Sequence, residues 1–211
     1  NFLFTNFTTN YWNYMKTHLN NISPIDGRYA RLTKELNAYF SESALIKYRI
    51  YIEIEYFIAL YDSGLSELKG IKKKDLMKIK NIYSDINDED IDEIKKIESI
   101  TNHDVKAVEY FIKEKFEQLN LNNQKEFIHF GLTSQDINNT ATPLLFKDSL
   151  ESFFFPLIEI LISKIDDLAI KWKGISMLAR THGQAASPTR MGKEIYVFIE
   201  RLENQLSLLK E

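Results

Sequence analysis

Apolar residues recur at intervals of three and four along most of this chain, which is the spacing of one face of an α-helix. The segment from Ser41 to about Asp62 follows this pattern, and Gly64 then supplies a helix stop. Only 7 glycines and 4 prolines occur in 211 residues, and alternating β patterns are almost absent. We therefore predict an all-α fold, with a helical amino-terminal domain followed by the first long helices of a central helical bundle.

The periodicity also predicts which side of each helix is buried. Two shorter helices are expected from Lys74 to Ile86 and from Asp90 to Ser99, after a solvated run of lysines at 72–74. The segment from Phe153 to Ile170 is strongly apolar, but charged residues interrupt it, so we predict a buried bundle helix rather than a membrane span. The inward residues expected on the first three helices are Leu45, Tyr48, Ile52, Tyr56, Ala59 and Leu60, then Leu76, Ile79 and Tyr83, then Ile91, Ile94 and Ile97.

A final long helix is expected to begin near Ser187, with Ser187 as its N-cap and Pro188 in its first position. Its apolar stripe predicts a length of about 22 residues, or roughly 33 Å. Because the stripe continues to Glu211, we expect the chain to belong to a larger helical bundle. The stripe comprises Met191, Ile195, Phe198, Leu202, Leu206 and Leu209.

The charge balance excludes strongly electrostatic partners. The chain has 27 Lys and Arg against 30 Asp and Glu, and this net charge of −3 predicts no nucleic-acid partner and no cationic membrane-binding face. The lack of cysteine excludes disulfides and thiolate chemistry. It is compatible with a reducing compartment, and the cytoplasm is the location that we expect.

We divide the chain into three parts. Residues 1–20 are expected to be an extension, since their start lacks the basic region of a signal peptide and Met15 is a candidate initiator. Residues 21–130 are expected to form the helical amino-terminal domain. Residues 131–211 are expected to form the incomplete beginning of the central bundle.

The hexapeptide at 179–184, Ala-Arg-Thr-His-Gly-Gln, contains the candidate catalytic residue. His182 stands between a hydroxyl and a glycine, so its neighbours can set its protonation state. This arrangement suits acid/base chemistry if the segment faces a cleft. The alternative is a polar loop in which His182 only satisfies backbone groups.

A candidate anion site lies at 22–29, Ile-Ser-Pro-Ile-Asp-Gly-Arg-Tyr. Asp26 and Gly27 predict a turn that presents Arg28 beside Tyr29. Such a pair suits a phosphate or a carboxylate, because Arg gives bidentate charged bonds and Tyr adds a neutral donor. The alternative is an Arg28 side chain stacked on Tyr29 at a helix entry.

The segment Thr-Asn-His-Asp at 101–104 stands where one helix ends and the next begins. Asp104 is a good N-cap residue for the second helix, which explains that residue structurally. Asn102 and His103 have no such explanation. Because a helix N-terminus favours anions, a phosphate or carboxylate near His103 is physically sensible.

The segment Thr-Ser-Gln-Asp at 133–136 has the spacing of a capping motif, in which Thr133 or Ser134 satisfies the first amides of a helix. The same amides and hydroxyls could instead bind a carboxylate. Just upstream, we interpret His129 as a core histidine because its neighbours are apolar. Pro143 is expected to kink the following helix or to mark its irregular turn.

The four segments together resemble the motifs of the adenylosuccinate lyases, a family of the fumarase/aspartase superfamily. The match runs in order from about residue 21 to the end, and the phrase around Asn102 and Lys106 is similar to the bacterial-type branch. Thr-His-Gly-Gln alone leaves an argininosuccinate lyase open, but the Asp-Gly-Arg-Tyr and Asn-His-Asp phrases make it the weaker alternative. The matching phrases lie at 23–29, 101–107, 133–136 and 180–184.

The resemblance implies elimination of fumarate from adenylosuccinate to give AMP, and often the parallel reaction on the succinylated carboxamide ribotide of purine synthesis, with no cofactor and no metal. Cleaving a C–N bond β to a carboxylate needs a base, cations or dipoles for the carbanion, and an acid for the departing nitrogen. By similarity, His182 is that acid. The implied binding residues are Arg28 and Tyr29 for the phosphate, Asn102, His103 and Asp104 for the nucleotide, Thr133 and Ser134 for the succinyl carboxylates, and Gln184 nearby.

The resemblance also implies active-site residues that do not occur in this sequence. The family's serine base lies in a Ser-Ser-x-Met-Pro-x-Lys-x-Asn signature, which does not occur here, and Ser134, Ser176 and Ser187 are not expected to replace it. Family active sites combine residues from three subunits of a homotetramer. The alternative of a different class is a non-catalytic helical interaction module, whose histidines are caps and core groups.

Overall fold

The computed structural model describes residues 21–211 of the chain. The expectations about residues 1–20, including Met15 as initiator, lie outside the described residues. Contacts between Cα atoms divide the chain into two compact units, one ending at Lys147 and the other spanning Asp148–Glu211. The fold is mainly helical, as predicted.

The first unit consists of α-helices joined by short connections. Within the described part of this unit, at 21–147, three short 3₁₀ turns lie at Lys34–Leu36, Ser66–Leu68 and Lys125–Phe127. The α-helices are α1 (Ala30–Thr33), α2 (Asn37–Phe40), α3 (Glu42–Asp62), α4 (Lys73–Ser84), α5 (Asp88–Thr101), α6 (Asp104–Gln118) and α7 (Ser134–Ser149), the last of which crosses the unit boundary.

Helix α3 has the predicted limits but not the predicted buried face. Ser41 caps it by accepting the Ala44 N–H at 3.1 Å, and Gly64 follows its end with φ of +85°. The six residues expected inside are half-buried or exposed. The buried face was missed because it contains the charged residues Arg49 and Glu53, and apolar spacing alone favoured a stripe without charges. The buried residues are Ala44, Ile46, Arg49, Ile50, Glu53, Ile54, Phe57 and Ile58.

The core of the first unit forms where α3, α4, α5 and α6 meet. Ile79 of α4 and Ile94 of α5 are fully buried, as predicted, and the lysines at 72–74 are exposed. Phe57 of α3 packs edge-to-face on Phe116 of α6, with ring centroids 4.8 Å apart. Burial of such large apolar side chains supplies most of the stabilisation of a unit of this kind.

Helix α7 runs through Pro143 as one continuous α-helix. The irregular turn expected at Pro143 occurs instead at Leu150–Phe154, where the backbone widens into a π-helical segment before α8 (Phe155–Trp172). That segment ends two residues before Pro156, which lies in the first turn of α8 and has no N–H to donate to the preceding helical residues. The irregular turn was therefore predicted at the wrong place, whereas a kink at Pro143 stays a prediction.

The second unit contains a β-hairpin that the sequence patterns did not indicate. Strand β1 (Ser176–Thr181) pairs antiparallel with β2 (Gln184–Arg190), and Leu178 stands opposite Pro188. The predicted helix start at Ser187 is wrong, because a Ser-Pro pair fits an edge strand as well as a helix start. The last helix, α9 (Met191–Lys210), begins instead after Arg190, which makes no side-chain capping bond.

Helices α8 and α9 pack closely on each other at one point. A Cβ built on Gly192 of α9 would lie 2.2 Å from the carbonyl oxygen of Ala169 on α8, so only glycine permits this approach. Ala169 is the one residue of α8 among those described that is buried, so the expectation of a buried bundle helix is not met within this chain. On α9, Ile199 is buried, whereas Phe198 of the predicted stripe is 53% exposed. No described helix combines the length and apolarity needed to cross a membrane.

Replacing Gly192 by alanine should destabilise the second unit by about 1–3 kcal/mol, because the new methyl group overlaps the backbone of α8. Thermal unfolding of the full-length protein measures the loss as a lower Tm. Gly174→Ala is the matched control, since a Cβ there meets no atom within 4 Å. Equal Tm values for the two variants would contradict the close approach of α8 and α9.

Candidate active site

Two segments that the sequence singled out separately meet in the first unit. His103, just before α6, directs its Nε2 to Ser134 Oγ at the start of α7, at a distance of 3.3 Å. The other ring nitrogen, Nδ1, accepts the Lys106 N–H at 3.2 Å. Because Nδ1 is the acceptor, the neutral ring carries its proton on Nε2 and donates it to the serine oxygen. The N-termini of α6 and α7 are thereby brought together.

The start of α6 differs from the prediction in one respect. The N-cap residue is His103 and not Asp104, since it is the histidine ring that accepts the Lys106 N–H. Asp104 is the first residue of the helix and accepts the Val105 N–H at 2.8 Å. Its other oxygen, Oδ2, lies 2.6 Å from the guanidinium of Arg49. The structure therefore gives Asp104 the role of a carboxylate partner for a buried arginine.

Arg49 connects α3 to both of these helices. Its side chain is only 7% exposed, and its Nε donates to Asn138 Oδ1 on α7 at 2.9 Å. Sequence reasoning missed both Arg49 and Asn138. The available signal was the charged pair Arg49 and Glu53, which lie one turn apart on a helix that is otherwise apolar on its inner side.

The electrostatics around Asp104 favour its charged form. Partial burial acts to raise the pKa of Asp104, but the Val105 N–H and the Arg49 guanidinium outweigh it, and the pKa lies below the ordinary value of 3.8. The side chain stays 48% exposed. Asp104 is thus a carboxylate that is fixed by the protein on one side and open to solvent on the other.

At the start of α7, the capping bond runs opposite to the expected direction. The Asp136 carboxylate accepts the Thr133 N–H at 2.8 Å, which is the reverse half of a capping box. Ser134 is half-buried and uses its hydroxyl on His103. Helix N-termini carry partial positive charge, so two of them at one place make a local environment that favours an anion.

Arg28 and Tyr29 lie in the predicted turn before α1. The Gly27 N–H donates to the Ser23 carbonyl at 3.0 Å, which closes the turn. The Arg28 guanidinium lies 5.5 Å from the centre of the Tyr29 ring, and both side chains are exposed. In the described part of the chain, no hydrogen bond or ion pair joins either residue to His103 or Ser134. The contact between Arg28 and Tyr29 is the stacking that the sequence analysis gave as the alternative.

His182 occupies the two-residue turn between β1 and β2. It has φ of +52° and Gly183 has φ of +78°, the left-handed pair that a type I′ hairpin turn requires. Arg180 donates to the Gly183 carbonyl at 3.3 Å, and Gln184 opens β2 opposite Thr181. His182 and Gln184 are exposed. The imidazole is therefore presented at the tip of a hairpin in the second unit.

Asn102 and His129 have structural roles. Asn102 ends α5 in the left-handed conformation, with φ of +51°, and its N–H bonds the Glu98 carbonyl at 2.8 Å. His129 is 14% exposed and its Nδ1 lies 2.6 Å from Glu53 Oε1. The prediction of a satisfied core histidine is confirmed. Across residues 21–211, no three His, Cys, Asp or Glu side chains lie together as metal ligands would.

Comparison with known proteins identifies the family. A family model described as "Lyase" matches residues 27–211. The chain belongs to this lyase family. A relative from Dictyostelium discoideum named adenylosuccinate lyase is 53% identical over 206 residues, which is 94% of this chain and 44% of the relative. An adenylosuccinate lyase of Buchnera aphidicola is 41% identical, over 90% of this chain and 42% of that protein.

A solved structure supports the fold. A fumarate lyase from Mesorhizobium sp. BNC1 superposes with a TM-score of 0.68 at 20% identity, covering 84% of this chain and 39% of that protein. The chain thus spans less than half the length of the relatives that it matches. More than half of the length of each of these three proteins lies outside its match to this chain.

Replacing Asp104 by asparagine should destabilise the folded protein by about 1 kcal/mol at neutral pH, because Arg49 loses its charged partner. Since the pKa of Asp104 is lowered, the carboxylate stabilises the fold above its ordinary pKa of 3.8, and this contribution disappears as the pH falls through the lowered value. Urea unfolding of wild type and variant over a pH series measures the difference.

The matched control is Glu42→Gln, which removes an ion pair of the same length, 2.6 Å to Lys95, on the exposed surface. We expect little change from it, because solvent screens exposed pairs. A stability difference for Asp104→Asn that stays constant down to about pH 3 would show that the charge of Asp104 contributes nothing.

Proposed function

We propose that the full-length protein carrying this chain eliminates fumarate from adenylosuccinate to give AMP. The observation that supports this most directly is the contact of His103 with Ser134, which joins two helix N-termini in segments that resemble the family's substrate-binding motifs. The names of the relatives support the same substrate. The succinylated carboxamide ribotide of purine synthesis is the second substrate to be tested.

The proposed succinyl end of the site is the start of α7. A carboxylate placed there would accept hydrogen bonds from Thr133 and Ser134 and would gain from the positive ends of α6 and α7. His103, in its Nε2-protonated form, already donates in this direction. We assign Asn102, His103 and Asp104 to the nucleotide side, with Asp104 held in place by Arg49.

The chemical step needs an acid at the departing nitrogen, and we assign this role to His182. A histidine can deliver a proton near neutral pH, and the two left-handed residues of the turn hold its backbone in one conformation. Gln184 follows at the start of β2 and would assist nearby. Arg28 and Tyr29 would leave their mutual stacking to bind the phosphate, as a bidentate cation with a neutral donor.

We expect the proton acceptor of the reaction to be a serine in the family's signature loop, which does not occur among these residues. We also propose a cytoplasmic homotetramer whose active sites combine residues from different subunits, as the resemblance implies. Under this proposal, the present chain supplies the acid and the substrate-binding groups. The test is direct: the full-length protein incubated with adenylosuccinate should release fumarate, and absence of fumarate would refute the function.

Replacing Ser134 by alanine should weaken fumarate or succinate binding about tenfold to a hundredfold, because a hydrogen bond to a charged group is lost. AMP affinity should change little. Titration calorimetry of the full-length protein with each ligand measures both. Ser99→Ala is the matched control, since that hydroxyl bonds only the Lys96 carbonyl, at 2.7 Å, among the described residues. Equal losses for AMP and fumarate would contradict the assignment of Ser134 to the carboxylate.

Replacing His182 by asparagine should lower kcat about a hundredfold or more, because asparagine cannot act as the acid. The hairpin should remain intact or become more stable, since Asn-Gly is a favoured type I′ turn. Steady-state kinetics and thermal unfolding of the full-length protein separate these effects. AMP binding should persist. A near-normal kcat with an unchanged Tm would remove His182 from the mechanism.

A further inference from the structure

A buried carboxylate in the first unit has no role in the proposed chemistry. Glu53 of α3 is 0% exposed and lies among Ile50, Ile54 and Phe57, which are also fully buried. Its Oε1 lies 2.6 Å from His129 Nδ1, while its Oε2 has no hydrogen-bond partner among residues 21–211. A half-satisfied buried carboxylate is costly, and an apolar side chain of similar size would commonly be more stable.

The groups around Glu53 make a charge there expensive. Burial raises the pKa of Glu53, and the nearby Glu109 carboxylate raises it further, while the hydrogen bond and the charge of His129 oppose both. Glu109 is itself held by Lys106 at 2.7 Å and Lys113 at 3.1 Å. His129 is therefore the group that offsets the burial of Glu53.

His129 belongs to a bend that leads into the candidate site. It has φ of +59°, and Gly131 has φ of +71°, so the chain changes direction sharply just before Thr133 and Ser134. A non-glycine residue with positive φ is uncommon, and although histidine adopts it more often than most residues, contacts with the surrounding structure help to hold it there. Helix α3 provides two: the bond from Glu53 to His129, and a bond from Tyr56 Oη to the Phe130 carbonyl at 2.8 Å.

We infer that Glu53 is a positioning residue: by holding His129 it fixes the bend at 129–131 and so places Thr133 and Ser134 for the substrate carboxylate. It touches no substrate itself. The link to the carboxylate rests on the proposed function, whereas the link to the bend does not. Arg49, one turn earlier on α3, bonds Asn138 of α7. Both charged residues of the buried face of α3 therefore position the amino-terminal end of α7.

The decisive variant is Glu53→Met in the full-length protein, which keeps the volume and removes both the charge and the hydrogen bond. Its Tm should match the wild type within a few degrees or exceed it. Hydrogen exchange of the segment 129–134 should accelerate about tenfold or more, because the bend loses one of its two bonds to α3 and keeps only the bond from Tyr56 to the Phe130 carbonyl. The affinity for fumarate should fall about tenfold, with the affinity for AMP unchanged.

The matched control is Glu55→Met, the same change on the same helix at a glutamate that bonds Tyr83 and not the bend. It should leave exchange at 129–134 and both affinities unchanged. Glu53→Gln should restore wild-type exchange, because its amide oxygen can accept from His129 Nδ1–H. Glutamine does not ionise, so Glu53→Gln should also abolish any change in fumarate affinity with pH that is due to Glu53.

Wild-type exchange at 129–134 in a folded Glu53→Met protein would overturn the inference, as would equal loss of AMP and fumarate affinity. If Glu53→Met does not fold, the double variant Glu53→Gln/His129→Asn removes the same bond without a buried charge, and asparagine tolerates the left-handed backbone. The same outcomes then apply. If the wild type binds neither ligand, the proposed function fails, and the exchange measurement still decides the role of Glu53.

Discussion

The geometry of the candidate site depends on one buried guanidinium. Arg49 lies on the inner face of α3 and bonds Asp104 at the start of α6 and Asn138 in the early part of α7. A buried arginine is stable only when its donors are satisfied, so the positions of both helix starts are tied to it. This also explains the contact of His103 with Ser134. His103 is adjacent to Asp104, and Ser134 precedes Asn138 on α7, so the two bonds of Arg49 bring both segments to the same place.

Most of the helices could be predicted from the sequence, but the buried face of α3 could not. Local spacing identifies an amphipathic stripe, yet α3 is apolar on more than one side, and the inner side contains Arg49 and Glu53. Whether a charge is inside depends on a partner distant in sequence: Asn138 is 89 residues from Arg49, and His129 is 76 residues from Glu53. Periodicity contains no information on such partners, whereas the motif segments could be found because their residue types already suggested anion binding.

The hairpin was missed for a different physical reason. Its strands are short and exposed, so they lack the alternation of buried and exposed residues by which strands are recognised. Ser187 and Pro188 then favoured a helix start, although proline is equally acceptable on a strand with an unpaired edge. The decisive local signal was His-Gly at 182–183, a turn pair in which histidine replaces the more usual asparagine.

Histidine occupies a left-handed backbone position twice in the described part of the chain. In residues 21–211, the non-glycine residues with positive φ are Asn102, Asn120, His129 and His182, and two of them are histidines. Asparagine and histidine both adopt this conformation more often than most residues, so the contacts of each histidine ring have to be considered separately. The ring of His129 meets Glu53 and anchors the bend before α7. The ring of His182 is exposed at the tip of its hairpin, and none of the residues at 21–211 makes a hydrogen bond or an ion pair with it. An imidazole exposed at a hairpin tip is open to a molecule outside the fold of its own unit, which is what the proton-donor role that we propose for His182 requires.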